Sequence, residues 1–359
     1  MIFARSPYIV TIDEGAQEAT RLELFIWNGT GAAPIAPTYS LSKKVPSVNN
    51  VETFYNIAPF IREFFNFIYS EPYSSSNTGV TPNSYVYCNV TYKTYYTIGG
   101  EEFLLDTVTS LATDGFGYYE DGYNYTGQII LLSDLSNYGG QNIYYYPCEI
   151  GANTLLDPGT LTLLTPNSSA WKVRYTYPGT SPNETNLEPN SIYNVRKVRT
   201  TKLATGNKFE LLLNNVVQET YYFTPQCECR YEIYTVDFIN RFGAWQREFF
   251  YKASNETIEM ENTKYKLNPV PFPNYDLQQG QFKNFNTNAK RIYKLNTGWV
   301  NENFKQVVEE LLLSETIRVN GLPAILKTKS VEKFKNINTK TINYQMEFEM
   351  AYDVINSIS

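Results

Sequence analysis

The stretch 342–352 constrains the fold more than any other. Ile342, Tyr344, Met346, Phe348, Met350 and Tyr352 alternate there with Asn343, Gln345, Glu347 and Glu349, the two-residue period of a strand with one dry and one wet face. Such a strand needs sheet neighbours and a covering layer. Nearby candidates are 316–319, turned by Asn320-Gly321 into 324–328, and a hairpin of 230–239 with 245–251 around Asn240-Arg241-Phe242-Gly243. A helix is expected over 303–313, where Phe304, Val307, Val308, Leu311 and Leu312 form one apolar stripe that should rest on this sheet. We therefore read 226–359 as a C-terminal β domain with one helix.

The same punctuation runs through the rest of the chain. Strands are expected over 8–13, 22–27 and 38–43, followed by a helix in which Ile57, Phe60, Ile61, Phe64 and Ile68 recur at helical steps and Pro59 suits an early position. Residues 1–70 thus read as a small β domain with one helix, and the Ser-, Gly- and Pro-rich 71–84 as a linker. A central all-β region, 85–225, opens with a hairpin of 85–98 and 102–111 across Gly99-Gly100. It continues with strands at 128–132, 142–146, 160–164, 171–177, from 192, 209–213 and 219–223, and contains an internal loop at 177–190. The fold class expected is mainly β, in several small antiparallel sandwich- or barrel-like modules, with one helix near each end packed on a sheet.

Composition narrows the chemistry. Among 359 residues there is no His, against 31 Tyr, 21 Phe and 4 Trp. His is the usual general base, metal ligand and switch near neutrality, so Ser-His-Asp and Cys-His catalysis cannot be assembled. A net charge of −6 with 18% charged residues gives no field to draw free nucleic acid or an anionic membrane. No membrane-length apolar run and no signal-peptide pattern is read, so the expectation is a chain made in the cytoplasm without membrane insertion. Cys88, Cys148, Cys227 and Cys229 form no CxxC pair and are expected to be reduced thiols, although four thiolates leave a zinc site formally open. Six Asn-x-Ser/Thr sequons are read as a product of Asn- and Thr-rich composition. Neither nucleotide-binding glycine motif occurs, and Asp114-Gly115 and Asp121-Gly122 are read as turns rather than calcium loops. No cofactor, metal or catalytic residue is therefore assigned.

Paired carboxylates could run glycoside hydrolysis without His. Of the adjacent pairs Glu101-Glu102, Glu120-Asp121 and Glu309-Glu310, the last is expected on the solvent side of its helix. Lys327, Lys329, Lys333, Lys335 and Lys340 are read as protecting exposed strands from edge-to-edge pairing. Tyrosines cluster at 92–96, 118–125 and 144–146, and half of each cluster should point outward, where Tyr suits protein interfaces and sugar platforms. The candidates for interface or sugar-stacking contacts are Tyr118, Tyr119, Tyr123, Tyr125 and Trp171.

Several segments resemble virion structural proteins of tailed bacteriophages, particularly those infecting Bacteroidetes-type hosts. They are Ala4-Arg5-Ser6-Pro7-Tyr8-Ile9-Val10-Thr11-Ile12, Leu22-Glu23-Leu24-Phe25-Ile26-Trp27-Asn28-Gly29, and Pro37-Thr38-Tyr39-Ser40-Leu41-Ser42-Lys43 leading to Tyr55-Asn56-Ile57-Ala58-Pro59-Phe60-Ile61. A looser likeness extends to Phe238-Ile239-Asn240-Arg241-Phe242-Gly243-Ala244-Trp245 and the closing strand. The resemblance rests on packing and turn residues and brings no active site with it. It implies a non-enzymatic component of the tail, baseplate or fibre-attachment region, with copies of itself and other virion proteins as partners. The alternative is a module of a phage fibre that binds carbohydrate or another host receptor, with a host surface glycan as partner.

Overall fold

A computed structural model describes residues 1–28, 32–47, 51–65, 80–82, 87–125, 136–138, 141–147, 160–165, 170–176, 181–188, 191–196, 207–226, 228, 230–267, 278, 280–331 and 341–355. The chain is mainly β, and its described residues form several sheets and two α-helices. It divides into two compact units, the first made of 1–227, 238–247 and 306–314 and the second of 228–237, 248–305 and 315–359. This grouping is not the expected one of three modules, 1–70, 85–225 and 226–359, with a linker at 71–84.

In the first unit a five-stranded sheet has the order Ile2–Phe3, Glu101–Thr113, Tyr87–Ile98, Ala19–Trp27, Tyr39–Lys44. The hairpin 87–113 therefore belongs to the N-terminal sheet, not to a central domain. Its Gly99 and Gly100 both take positive φ, as the sequence anticipates for a tight turn. One sheet face carries Leu22, Leu24, Ile26, Cys88 and Val90, which meet Ile57 and Ile61 at the helix Ala58–Phe64. Proline in its first turn starts that helix without forfeiting a hydrogen bond. Burial pushes the Cys88 thiol up to about 12. The short pair Ile9–Ile12 and Thr53–Asn56 is stitched to the sheet by Thr20, whose Oγ lies 2.8 Å from both Thr53 Oγ1 and Tyr55 Oη.

Two further sheets occupy the same unit. One runs Asn183–Leu187, Trp171–Thr176, Asn207–Leu213, Val216–Gln226, Gln141–Pro147, Ser136–Tyr138, and the other Thr160–Thr165, Ser191–Arg196, Val80–Pro82. The expected linker thus contains a strand at Val80–Pro82, and the expected loop 177–190 contains one at Asn183–Leu187. Both are short and carry few apolar residues, so neither shows a period in the sequence. The expected strand 128–132 lies outside the described residues, as do Cys148, Cys227 and Cys229.

The second unit centres on a seven-stranded sheet in the order Trp245–Phe250, Tyr234–Ile239, Ile317–Val319, Leu322–Leu326, Thr341–Met350, Phe282–Asn301, Asn255–Lys266. The closing strand buries Tyr344, Met346, Phe348 and Met350 as its alternation predicts, but it ends at Met350, and Tyr352, expected on the same dry face, is 42% exposed. Phe348 meets Phe250 edge-on at 5.9 Å between ring centroids. The helix Lys305–Leu313 forms where the apolar stripe places it, and 306–314 groups with the first unit, as do residues 238–247 at one end of this sheet.

Candidate functional site

The aromatic loop 114–125 leaves the end of strand Glu101–Thr113 and is fixed at both ends. At its start the backbone passes so close to the turn 240–243 that only glycine fits. A Cβ on Gly115 would lie 2.6 Å from the Arg241 carbonyl oxygen, and one on Gly243, which also has φ +78, would lie 2.7 Å from the Asp114 nitrogen. The Phe116 N–H donates to the Arg241 carbonyl at 2.7 Å. At the loop's end, Asn124 accepts from the Ile9 N–H and donates to the Ile9 carbonyl, each at 2.6 Å.

Charged side chains brace this base. Glu310 is 0% exposed and faces Arg241, with Nε and Oε1 3.5 Å apart and the Arg241 N–H donating to Oε2 at 3.2 Å. The expected solvent position of Glu310 is thereby corrected. Helical periodicity cannot distinguish an outward carboxylate from one that a distant arginine holds inside. Asp114 is also buried and lies 3.6 Å from Arg62 Nε. The Arg5 guanidinium lies over the Phe116 ring at 4.9 Å, and that of Arg241 over Tyr118 at 5.5 Å.

Four of the five sequence-selected aromatics share this loop, in different settings. Tyr118 is half-buried against Phe116 and Arg241, and Tyr125 rests on Phe3 with 5.3 Å between ring centroids. Tyr119 and Tyr123 project, at 101% and 73% exposure. A short 3-10 turn, Tyr119–Asp121, separates them, closed by Asp121 accepting from the Tyr118 N–H at 2.8 Å. Trp171 is elsewhere and is 3% exposed, paired in register with Leu187 on one side and Leu213 on the other. It is a core residue and offers no sugar platform. Each adjacent carboxylate pair also has a member engaged in structure: Asp121 in its turn, Glu310 with Arg241, and Glu102 with Arg21, whose hydrogen bonds hold the Glu102 carboxyl below the usual range.

A second group of outward apolar side chains escaped the sequence reading. Strand Phe282–Asn301 pairs with Thr341–Met350 only from Ile292 onward, whereas its outer part pairs with Asn255–Lys266 alone. Residues 353–355 clip to this ribbon at Asn288 and Ala289. Beyond that point the ribbon has no third strand among the described residues. Met260, Tyr265, Phe282 and Phe285 are exposed on it, with Ile258 nearer its base. A bulge between Asn296 and Trp299 turns a further aromatic outward: Leu295 is buried opposite Met346, yet Trp299, four residues on and of the same parity, is 68% exposed opposite Asn343. An alternation count has no means of finding that extra residue.

Among the described residues no group of three or more Cys, Asp or Glu converges as a metal site, and no helix is long and apolar enough to cross a membrane. Compared with known proteins, the chain matches no family model, no curated protein and no solved structure.

Proposed function

We propose that this chain is a structural virion protein of a tailed bacteriophage, built into the tail region in several copies that contact one another and other virion proteins. The observation that carries the reading is the ribbon 258–266 with 282–291. An isolated two-stranded hairpin is marginal in water, and this one holds Met260, Tyr265, Phe282 and Phe285 in the open. Apolar side chains spread over a slender projection suit a surface that neighbours cover in a permanent assembly. The sequence resemblance to virion proteins and the scarcity of charge point the same way. The test is the mass of the purified chain in solution together with its copy number in phage particles. Multiple copies per particle are expected, and a stable monomer absent from virions overturns the reading.

Tyr119 and Tyr123 favour a second reading, in which the firmly anchored loop 114–125 presents two rings to a host-surface glycan at a fibre. A glycan array decides it: binding lost in Tyr119→Ala and Tyr123→Ala supports this reading, and no binding removes it.

A further inference from the structure

The five-stranded sheet of the first unit ends in two open edges of opposite charge, and we infer that copies of this chain join head to tail by continuing that sheet. The inference rests on the assembly reading above and specifies which surfaces meet.

One edge is strand Glu101–Thr113. Ile2–Phe3 covers it only at Ala112 and Thr113, so among the described residues its outer side is open over 101–111. The other edge is Tyr39–Lys44, which pairs with Ala19–Trp27 and with no further strand among the described residues. The first edge carries Glu101, Glu102 and Asp106, all exposed, beside exposed Phe103, Leu104 and Leu105. The second carries exposed Lys43 and Lys44 beside half-buried Tyr39 and Leu41. Proteins commonly place charge on open edges to keep copies apart. Edges of one sign accomplish that, whereas an acidic edge and a basic edge on one sheet attract the neighbouring copy.

Strand direction agrees. Glu101–Thr113, Tyr87–Ile98, Ala19–Trp27 and Tyr39–Lys44 are antiparallel at every step, so the first and last of the four run in opposite senses. Two copies placed side by side without inversion therefore meet as an antiparallel pair, the better-bonded arrangement. Side-chain orientation agrees as well. Leu41 lies beside Leu22, and Phe103 beside Tyr96, which lies beside Thr20. Since Thr20 and Leu22 share a face, Leu41 and Phe103 do too. The register that places Leu41 opposite Phe103 of the next copy places Lys43 opposite Glu101 and, across the bulge at Leu105, Tyr39 opposite Asp106. Lys43 also donates to the Phe54 carbonyl of its own copy. A junction between two different edges is heterologous, so repetition gives a ring or a filament rather than a closed dimer.

The test uses the full chain, with mass measured by analytical ultracentrifugation over a range of concentration and salt. Wild type should associate beyond a dimer and weaken with salt. Glu101→Lys or Lys43→Glu alone should weaken association about tenfold, because each sets like charges opposite one another, and the double variant should recover it. Leu41→Cys with Phe103→Cys should give covalent multimers on oxidation, while either cysteine alone should not. Circular dichroism confirms that each variant is folded. Weakening without recovery in the double variant, or unchanged association in both single variants with no cross-linking, overturns the edge junction and leaves the assembly reading standing. A wild type that stays monomeric throughout overturns the edge junction, and it overturns the assembly reading as well only if the chain is also absent from phage particles.

Discussion

The hairpin of Tyr87–Ile98 with Glu101–Thr113 and the hairpin of Asn255–Lys266 with Phe282–Asn301 are both long, antiparallel and bulged, but they are supported differently. Strand Ala19–Trp27 accompanies the first from Asn89 to Thr97. Arg21 then pins its outer end, bonded to Glu102 and lying over the Tyr95 ring at 4.1 Å. One edge is left open. The second hairpin loses its third strand at Ile292, keeps only the clip of 354–355 at Asn288 and Ala289, and beyond that continues with its side chains exposed. Its visible internal support there is the edge-on contact of Tyr265 with Phe285 at 5.4 Å. A hairpin that leans on a sheet can offer a straight edge for extension, whereas a bare ribbon can be gripped from either side. The two regions suit two kinds of neighbour contact.

Truncations should separate them. Leu24→Ala, fully buried behind the first hairpin, should cost about 2–5 kcal/mol, read as a lower denaturant midpoint. A loss under about 1 kcal/mol would mean that this hairpin is no better packed than the ribbon. Gly243→Ala should cost about 1–3 kcal/mol, since the new Cβ would lie 2.7 Å from the Asp114 nitrogen in a positive-φ position. A melting temperature equal to wild type would show that the base of the first hairpin is not locked there. Arg21→Met should cost only about 0.5 kcal/mol at neutral pH, because the Arg21–Glu102 pair is partly exposed and screened. Its pH dependence has a definite sign. The Glu102 carboxyl is held low by its bonds to Arg21, so the pair's contribution is present above the ordinary Glu range near about 4.3 and lost as acid titrates the folded carboxyl. Unfolding curves of variant and wild type should therefore converge in strong acid; a gap of constant size would assign the effect to packing. Met260→Ala, on the ribbon, should change the stability of the isolated chain by no more than about 0.5 kcal/mol. A cost matching that of Leu24→Ala would show that the ribbon is covered within one copy.

The strands whose faces differ were legible in the sequence, because alternation records burial. The closing strand, the Gly99-Gly100 hairpin and the two helices follow from it. The ribbon was not legible for the same reason: Asn255–Lys266 is exposed almost throughout, so no dry face imprints a period. Parallel pairings were hidden too. Gln141–Pro147 lies beside Val216–Gln226, and nothing local marks two strands so far apart as partners. Of the aromatic candidates, the loop position of Tyr119 and Tyr123 was readable from the Gly and Asp around them. The burial of Trp171 depends on Leu187 and Leu213, on the two strands that flank it but distant in sequence, and the inward turn of Glu310 depends on Arg241.

The short parallel pairing of Ile2–Phe3 with Ala112–Thr113 bears on how the chain folds. Phe3 also meets Phe242, and Arg5 donates to the Leu313 carbonyl at 3.4 Å. The outermost strand of this sheet and its surroundings therefore draw on contacts separated by as many as 308 positions. Loops of that size must close before these contacts contribute, which slows folding and lengthens the time that unpaired strands are exposed. During synthesis the opening residues wait until position 313 has left the ribosome before all their partners exist. Refolding from denaturant should accordingly show the Phe3 environment forming in the slowest phase.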